Sequence, residues 1–184
     1  MSIPKITLIS ILLLLTTAVH SDNSWVISES VDPMTDKIIR TATQAVTPVT
    51  GTQSEKVTLV LRCTLTKKSR DRIKGKLEIY FNWDEVINVE RLGSLTYIHV
   101  QTRFDDDKMK GKNWAPGNDF QSSFVRDIHN VFNWSGEQKA FLREMLDADK
   151  LIVRVVAAFD AHITATFDLS GLETEAASVL EYCN

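Results

Sequence analysis

Six charged residues have the types and positions that could do chemistry in this sequence. Three arginines fall on predicted strand faces, and three aspartates fall in a predicted turn or at a strand end: Arg62, Arg103, Arg154, Asp32, Asp36 and Asp168. The planar guanidinium of arginine is a rigid fork of donors that suits a carboxylate partner or a bound anion. If these side chains share one sheet face, they form a buried charge network or an anion-binding surface. We favour the charge network.

Catalytic and metal chemistry have less support. Three histidines stand on separate predicted elements without metal-ligand spacing: His99, His129 and His162. Residues 105–107 are three aspartates, but the EF-hand spacing and its glycine are missing, so a solvated turn is expected. Neighbouring carboxylates such as Asp84 and Glu85 point to opposite faces of a strand. There is no nucleophile elbow and no glycine-rich phosphate loop. We therefore predict no catalytic residue, no metal site and no cofactor.

The sequence contains two cysteines, Cys63 and Cys183. In an exported chain an even pair predicts one disulfide. Because the loop between them spans most of the chain, the chain-entropy estimate of the stabilisation is about 4–5 kcal/mol, an upper figure. The alternative is a pair of reduced, buried thiols in a cytosolic protein.

The N-terminus has the features of a secretory signal peptide. Lys5 precedes an apolar run over residues 6–19, and small residues follow, with cleavage expected near Ser21. The run is shorter than the roughly 20 residues of a membrane span. We predict a mature protein of residues 22–184 in the periplasm or secreted, without stable membrane insertion. An uncleaved N-terminal anchor is the alternative.

The charge balance argues against nucleic acid as a partner. The whole chain carries a formal charge of −3, and loss of Lys5 with the signal peptide makes the mature chain slightly more acidic. A basic stretch, residues 67–76, is the exception; we interpret it as a solvated hairpin loop, with a polyanion or lipid-headgroup patch as the alternative.

Residues 151–183 have the clearest pattern and predict a hairpin followed by a helix. Odd positions from Leu151 are apolar, and the same alternation returns from Ile163 to Leu169. Ser170 and Glu173 match a capping box that would open the C-terminal helix. A second capping box at 135–138 predicts another helix, whose apolar stripe consists of Phe141, Leu142, Met145 and Leu146.

Alternation elsewhere predicts strands at 56–63, 77–83 and 95–104. Further strands are expected at 25–28, 37–46 and 120–126. Residues 47–55 and 114–117 contain proline and glycine and are expected to be loops. The predicted fold is a β-rich α+β domain over residues 22–184: antiparallel, β-sandwich-like sheet or sheets with two short helices, one of them C-terminal.

The order of several short motifs resembles the VasI-like family of type VI secretion-associated proteins. The matching pieces are Trp25-x-x-Ser28 with the acidic turn at 32–36, LVLRC at 59–63, and Tyr97 to Arg103-x-Asp105 leading to Trp114. LIVRV at 151–155, TATFDLSGL at 164–172 and the closing cysteine complete the set. The run at 164–172 is the most specific of these motifs.

The resemblance implies a periplasmic accessory or binding protein without established catalytic residues, whose partner is an envelope or secretion-system protein. A periplasmic hydrolase, or an inhibitor of one, acting at the cell wall is the alternative, as is a phage-encoded envelope protein. An enzyme should gather acidic or histidine side chains in a cleft. A binding protein should instead present a flat or grooved sheet face.

Overall fold

The computed structural model describes residues 24–50, 54–67, 73–128, 134–157 and 160–183. Within these ranges the strands are β1 (Val26–Val31), β2 (Ile38–Val46), β3 (Val49–Thr50), β4 (Val57–Lys67), β5 (Ile73–Asn82), β6 (Glu90–Leu92), β7 (Leu95–Phe104), β8 (Lys110–Pro116), β9 (Ser122–Asp127), β10 (Lys150–Val156) and β11 (His162–Asp168). The helices are α1 (Trp134–Leu146), α2 (Leu172–Glu175) and α3 (Ala177–Leu180). The predicted β-rich α+β class, with helix at the C-terminus, is confirmed.

Apolar residues at every second position explain the strands. Leu151, Val153 and Val155 of β10 are buried, while the residues between them are half-buried. Ile163 and Phe167 of β11 are buried in the same way. The two strands pair antiparallel along their whole length, so the predicted hairpin is confirmed.

The strands pair in the order β1-β2-β4-β5-β9-β8-β7-β10-β11-β3, and β6 pairs with β7 beside this path. Only residues 47 and 48 separate β2, the second strand of this order, from β3, the last one, so these two strands lie on neighbouring stretches of chain. The sheet therefore curls back on itself and encloses one core, with β1 as an extra edge strand. A hydrogen bond of 2.8 Å from Gln44 Nε2 to the carbonyl oxygen of Asp168 also joins β2 to β11.

The enclosed core is centred on Phe81 of β5. The ring centroid of Phe81 lies 5.7 Å from those of Trp114 and Phe167, 5.8 Å from that of Trp83 and 6.4 Å from that of Phe141. These separations are those of favourable aromatic pairs. Phe141 belongs to the predicted apolar stripe of α1, which packs on the core as expected.

The predicted disulfide between Cys63 and Cys183 is present, with 5.8 Å between the Cα atoms. Both cysteines are buried, and the bridge joins β4 to the chain just after α3. Gly75 of β5 faces the bridge so closely that a Cβ there would meet the carbonyl oxygen of Tyr182 and both sulfur atoms. This position requires a residue without a side chain.

The predicted capping box at Ser170 is wrong. The residue before α2 is Gly171 in the left-handed conformation, with φ 78°, and no side chain caps the helix. The backbone N–H and hydroxyl of Ser170 both donate to Asp168 Oδ1. Asp168 takes these donors of Ser170 in a local turn, so they are not available to cap the helix. The helix is instead preceded by Gly171. The single predicted helix is also divided in two at Ala176.

The helix predicted from the capping box at 135–138 is present, but Ser135 is not the residue that precedes it. α1 begins at Trp134, so Ser135 lies inside the helix. The carboxylate of Glu137 accepts a hydrogen bond of 2.8 Å from the backbone N–H of Asp127. This hydrogen bond therefore connects the first turn of α1 to the end of β9.

Part of the predicted 114–117 loop is strand. Trp114 is buried in β8, which pairs with both β7 and β9, and the register shifts between Trp114 and Ala115. Pro116 is the last residue of β8. At the end of a strand, the lack of a backbone N–H in proline does not interrupt the pairing with the neighbouring strand. The predicted loop at 47–55 likewise contains the short strand β3.

No helix among the described residues is long and apolar enough to cross a membrane. The expected signal peptide at residues 1–21 lies outside the described ranges. His129 and most of the basic turn, residues 68–72, also lie outside them.

Candidate functional site

The structure distributes the six predicted site residues over separate parts of the sheet. Arg62 lies on β4, Arg103 on β7, Arg154 on β10, Asp32 and Asp36 in the turn after β1, and Asp168 at the end of β11. β7 and β10 are neighbours, but three strands separate β7 from β4 in the pairing order. Arg103 and Arg154 therefore come close to each other, while Arg62 lies elsewhere.

The side chains of Asp32, Asp168 and Arg154 have local partners, and Asp36 is bonded through its backbone. Asp32 accepts a hydrogen bond of 2.8 Å from the backbone N–H of Met34, and this bond is the main reason why the pKa of Asp32 lies below its ordinary value. Asp36 closes the same turn at φ 52°. Arg154 Nε donates to Thr164 Oγ1 at 3.0 Å. As described above, Asp168 accepts from Ser170.

The partner of Arg62 is Glu78, which the sequence did not single out. One oxygen of Glu78, Oε2, accepts from Nε of Arg62 at 2.9 Å and also from Nη2 of the same guanidinium. The other oxygen, Oε1, accepts from Arg126 at 2.7 Å and from Lys76 at 3.2 Å. The side chain of Glu78 is only 10% exposed, against 33% for Arg62 and 21% for Arg126. One carboxylate thus organises three cations, and we call these four residues the Glu78 cluster.

Two aromatic rings lie beside the Glu78 cluster. The guanidinium carbon of Arg62 lies 5.3 Å from the ring centroid of Tyr80, and that of Arg126 lies 5.0 Å from the centroid of Phe124. The two rings themselves are 5.0 Å apart at 32°. Each arginine is therefore held by a carboxylate and also by the electron-rich face of a ring.

Strand register creates this arrangement. Arg62 of β4 lies opposite Glu78 of β5, and Tyr80 of β5 lies opposite Phe124 of β9. Side chains two residues apart on one strand share a face, which adds Arg126 to the same outer surface of the sheet. Their inward neighbours on β5, Ile79 and Phe81, are fully buried in the core.

Opposing effects act on the pKa of Glu78. Burial is the largest of them and raises the pKa, because a charged carboxylate loses hydration. The hydrogen bonds and positive charges of Arg62 and Lys76 together outweigh burial, so the pKa lies below its ordinary value of 4.5. Glu78 is consequently an ionised carboxylate at neutral pH.

The Glu78 cluster borders an open groove of about 540 Å³. We call it the outer groove; its lining comprises Arg62, Tyr80, Asn82, residues 116–119, Ser122, Phe124 and Arg126. The volume lies within the roughly 300–1,000 Å³ of known ligand sites. Two of the charged lining side chains are arginines, both paired with Glu78, and the third is Asp119.

A second, smaller cavity of about 140 Å³ lies between α1 and β8. Trp114, Val125 and Phe141 contribute apolar side chains to its lining, and Lys110 and Glu144 at its rim are 3.6 Å apart. Among the described residues, no group of three or more His, Cys, Asp or Glu side chains is arranged to hold a metal ion.

Comparisons with protein-family models, with curated proteins and with solved structures find no match. Function is therefore inferred from the residues of the outer groove and from the sequence.

Of the outer groove, only Arg62 was among the site residues predicted from the sequence. The alternation in 77–83 is consistent with Glu78, Tyr80 and Asn82 on the outward face of a strand, and Arg126 is the last residue of the predicted strand 120–126. No periodic signal shows that β5 and β9 are neighbours, since Glu78 and Arg126 are 48 residues apart. The combination of an outward glutamate with an outward tyrosine, Glu78 and Tyr80, was the signal that could have drawn attention to β5.

Proposed function

We propose that the protein is an exported accessory protein of the periplasm that acts by binding a partner, as expected for the type VI secretion-associated, VasI-like proteins that it resembles. The outer groove is the observation that carries this proposal. It is a grooved sheet face on which Glu78 holds two arginines in place, and each arginine lies over an aromatic ring. Such preorganised arginine and aromatic side chains are enriched where proteins bind partners.

The charge state of Glu78 favours binding over acid–base catalysis at this groove. A catalytic acid or base works best when its pKa lies near the operating pH. The pKa of Glu78 is shifted the other way, below its ordinary value, and both carboxylate oxygens already accept hydrogen bonds. The groove therefore offers fixed charge and shape, which is what recognition requires.

Two features agree with the proposed location in the periplasm. The first is the signal-like N-terminal sequence at residues 1–21. The second is the buried Cys63–Cys183 bridge, since disulfides persist in oxidising compartments such as the periplasm.

Affinity capture from the periplasm with groove variants tests the proposal. The full chain is expressed with a C-terminal tag, and the wild type is compared with the double variant Arg62→Ala/Arg126→Ala. The matched control is Arg103→Ala/Arg154→Ala, which removes two arginines from strands outside the groove. We expect an envelope protein to be captured by the wild type and the control and to be lost from the groove variant.

Three results would contradict the proposal. Capture that does not change in the groove variant would show that the groove is not the binding surface. A full-length chain retained in the cytosol with two free thiols would exclude export. Degradation of peptidoglycan by the purified protein would favour the hydrolase alternative.

A further inference from the structure

We infer that the free edge of β1 pairs with β1 of a second copy of this chain, so that two molecules share one continuous sheet. A two-fold axis relates the two copies, and their β1 strands run antiparallel with Glu29 of one copy opposite the partner's Glu29. This inference does not depend on the proposed function, because no residue of β1 lines the outer groove. Either one can therefore fail while the other stands.

One edge of β1 has no neighbouring strand in the part of the chain that the structure describes. β1 stands at the end of the pairing order, next to β2. All six of its residues are exposed, among them Val26, Ile27 and Val31 at 61%, 40% and 57%. Proteins commonly protect such an edge with lysine, proline or a bulge, or keep the strand very short. β1 contains no lysine or proline, and its register with β2 continues without a shift over all six residues.

The register shows which backbone groups face the free edge. The backbone N–H of Asp32 donates to the carbonyl oxygen of Lys37 at 2.9 Å, and this pair continues the register of β1 with β2. Hydrogen-bonded and non-hydrogen-bonded positions alternate along an antiparallel pair. Every second residue counted back from Asp32 is therefore bonded to β2. The residues between them direct their N–H and C=O groups to the free edge: Ile27, Glu29 and Val31.

These three outward residues match the same three residues of a second copy. In an antiparallel pair centred on Glu29, Ile27 lies opposite the partner's Val31, and two branched aliphatic side chains form a favourable cross-strand pair. This register engages the outward N–H and C=O groups of all three residues in both strands. A centre at Ser28 would instead place Val31 opposite Trp25, whose backbone N–H already donates to a carboxylate at 3.1 Å.

The two Glu29 carboxylates at the centre of this pairing are compensated by arginine. Glu29 Oε2 accepts a hydrogen bond of 2.7 Å from Nε of Arg40 on the neighbouring strand. Arg40 also donates to the carbonyl oxygen of Ser178 at 3.2 Å, and its guanidinium carbon lies 4.9 Å from the ring centroid of Tyr182. These contacts hold the guanidinium beside Glu29. The centre of the dimer therefore contains two carboxylates and two guanidinium groups, whose charges cancel.

The opposite end of the sheet favours a dimer over a filament. β3 stands at that end of the pairing order and has two residues. An edge strand of this length offers few backbone groups for pairing with another chain. Pairing of β1 with its own copy uses the same edge in both molecules, so the assembly closes at two copies.

Sedimentation velocity of the purified full chain over a wide range of concentrations tests the inference. We expect a weak, reversible monomer–dimer equilibrium, because one strand pair buries less surface than a stable interface requires. Ile27→Lys should weaken dimerisation about tenfold, since it replaces an aliphatic pair at both ends of the interface with a charge. The matched control is Val49→Lys, the same change in charge at a side chain of β3 that is 81% exposed, and it should leave the equilibrium unchanged. All variants keep the same N-terminal sequence.

New cysteines test the register. Both native cysteines form the bridge, so an added cysteine is the one free thiol of each molecule. Opposite residues of a hydrogen-bonded pair have Cα atoms about 5.5 Å apart, a separation that a disulfide spans. Glu29→Cys should therefore form a covalent dimer when copper phenanthroline is added as the oxidant. Ile27→Cys should not, because it lies opposite the partner's Val31.

Any of three results overturns the inference. A monomer at every concentration would show that the edge of β1 does not pair with itself. Equal weakening by Ile27→Lys and Val49→Lys would show that the contact does not lie at β1. Equal cross-linking of Glu29→Cys and Ile27→Cys would show that the two molecules meet without the antiparallel register centred on Glu29.

Discussion

Replacing Glu78 with glutamine should lower the free energy of unfolding by about 3 kcal/mol. The substitution keeps the shape of the side chain but removes the charge that four donor contacts share. Breaking a buried ion pair costs roughly 3–5 kcal/mol because the remaining charge stays desolvated. Arg62 and Arg126 are partly exposed, so water screens part of the cost and the lower end of that range applies.

The same substitution should change the dependence of stability on pH. The folded-state pKa of Glu78 lies below its ordinary value of 4.5. A carboxyl group with a depressed pKa contributes stability above its unfolded pKa and loses that contribution as pH falls through the folded value. The stability difference between wild type and Glu78→Gln should therefore be constant near neutral pH and shrink as the pH falls below about 4.5.

Urea unfolding followed by tryptophan fluorescence measures both quantities. The control is Glu29→Gln, which breaks the exposed ion pair between Glu29 and Arg40 (2.7 Å) and should cost less than about 1 kcal/mol. Equal losses in the two variants would show that Glu78 does not organise the cluster. A stability difference that stays the same from neutral to acidic pH would refute the reasoning about its ionisation.

Two further substitutions test the C-terminal bridge. Cys63→Ser should lower the free energy of unfolding by about 2–5 kcal/mol, the usual cost of losing a native disulfide; two free thiols in the unfolded, non-reduced wild type would contradict the bridge. Gly75→Ala should cost more than about 1 kcal/mol in the same urea assay, because its new methyl group meets the backbone oxygen of Tyr182 and the bridge sulfurs. Gly111→Ala, whose methyl group would meet only the side chain of His99, is the matched control and should cost less; equal costs would contradict the close packing at Gly75.

Local pattern was enough to predict much of the scaffold. The alternation in 151–157 and 163–169 predicted a hairpin because each strand has one buried face. The stripe at Phe141 and Met145 predicted which face of α1 is buried. The sequence contains only two cysteines, so the expectation of export indicated that they form one bridge.

The failures have identifiable physical causes. The helix start at Ser170 was wrong because Asp168, two residues earlier, takes the donors of that serine in a local turn. The grouping of Arg62 with Arg103 and Arg154 required their strands to be neighbours. Alternation determines which face a side chain occupies but not which strand lies beside it, so Glu78 and Arg126 could not be predicted as partners of Arg62.

The most direct test of the outer groove as a binding site follows the arginine side chains themselves. The Nε–Hε resonances of an isotope-labelled protein are recorded by NMR while the envelope protein captured from the periplasm is added. Saturable shifts are expected for Arg62 and Arg126, whose guanidinium groups line the groove, and none for Arg154, which lies on another part of the sheet. Unchanged Arg62 and Arg126 resonances at partner concentrations that shift Arg154 would contradict the assignment of the outer groove as the binding site.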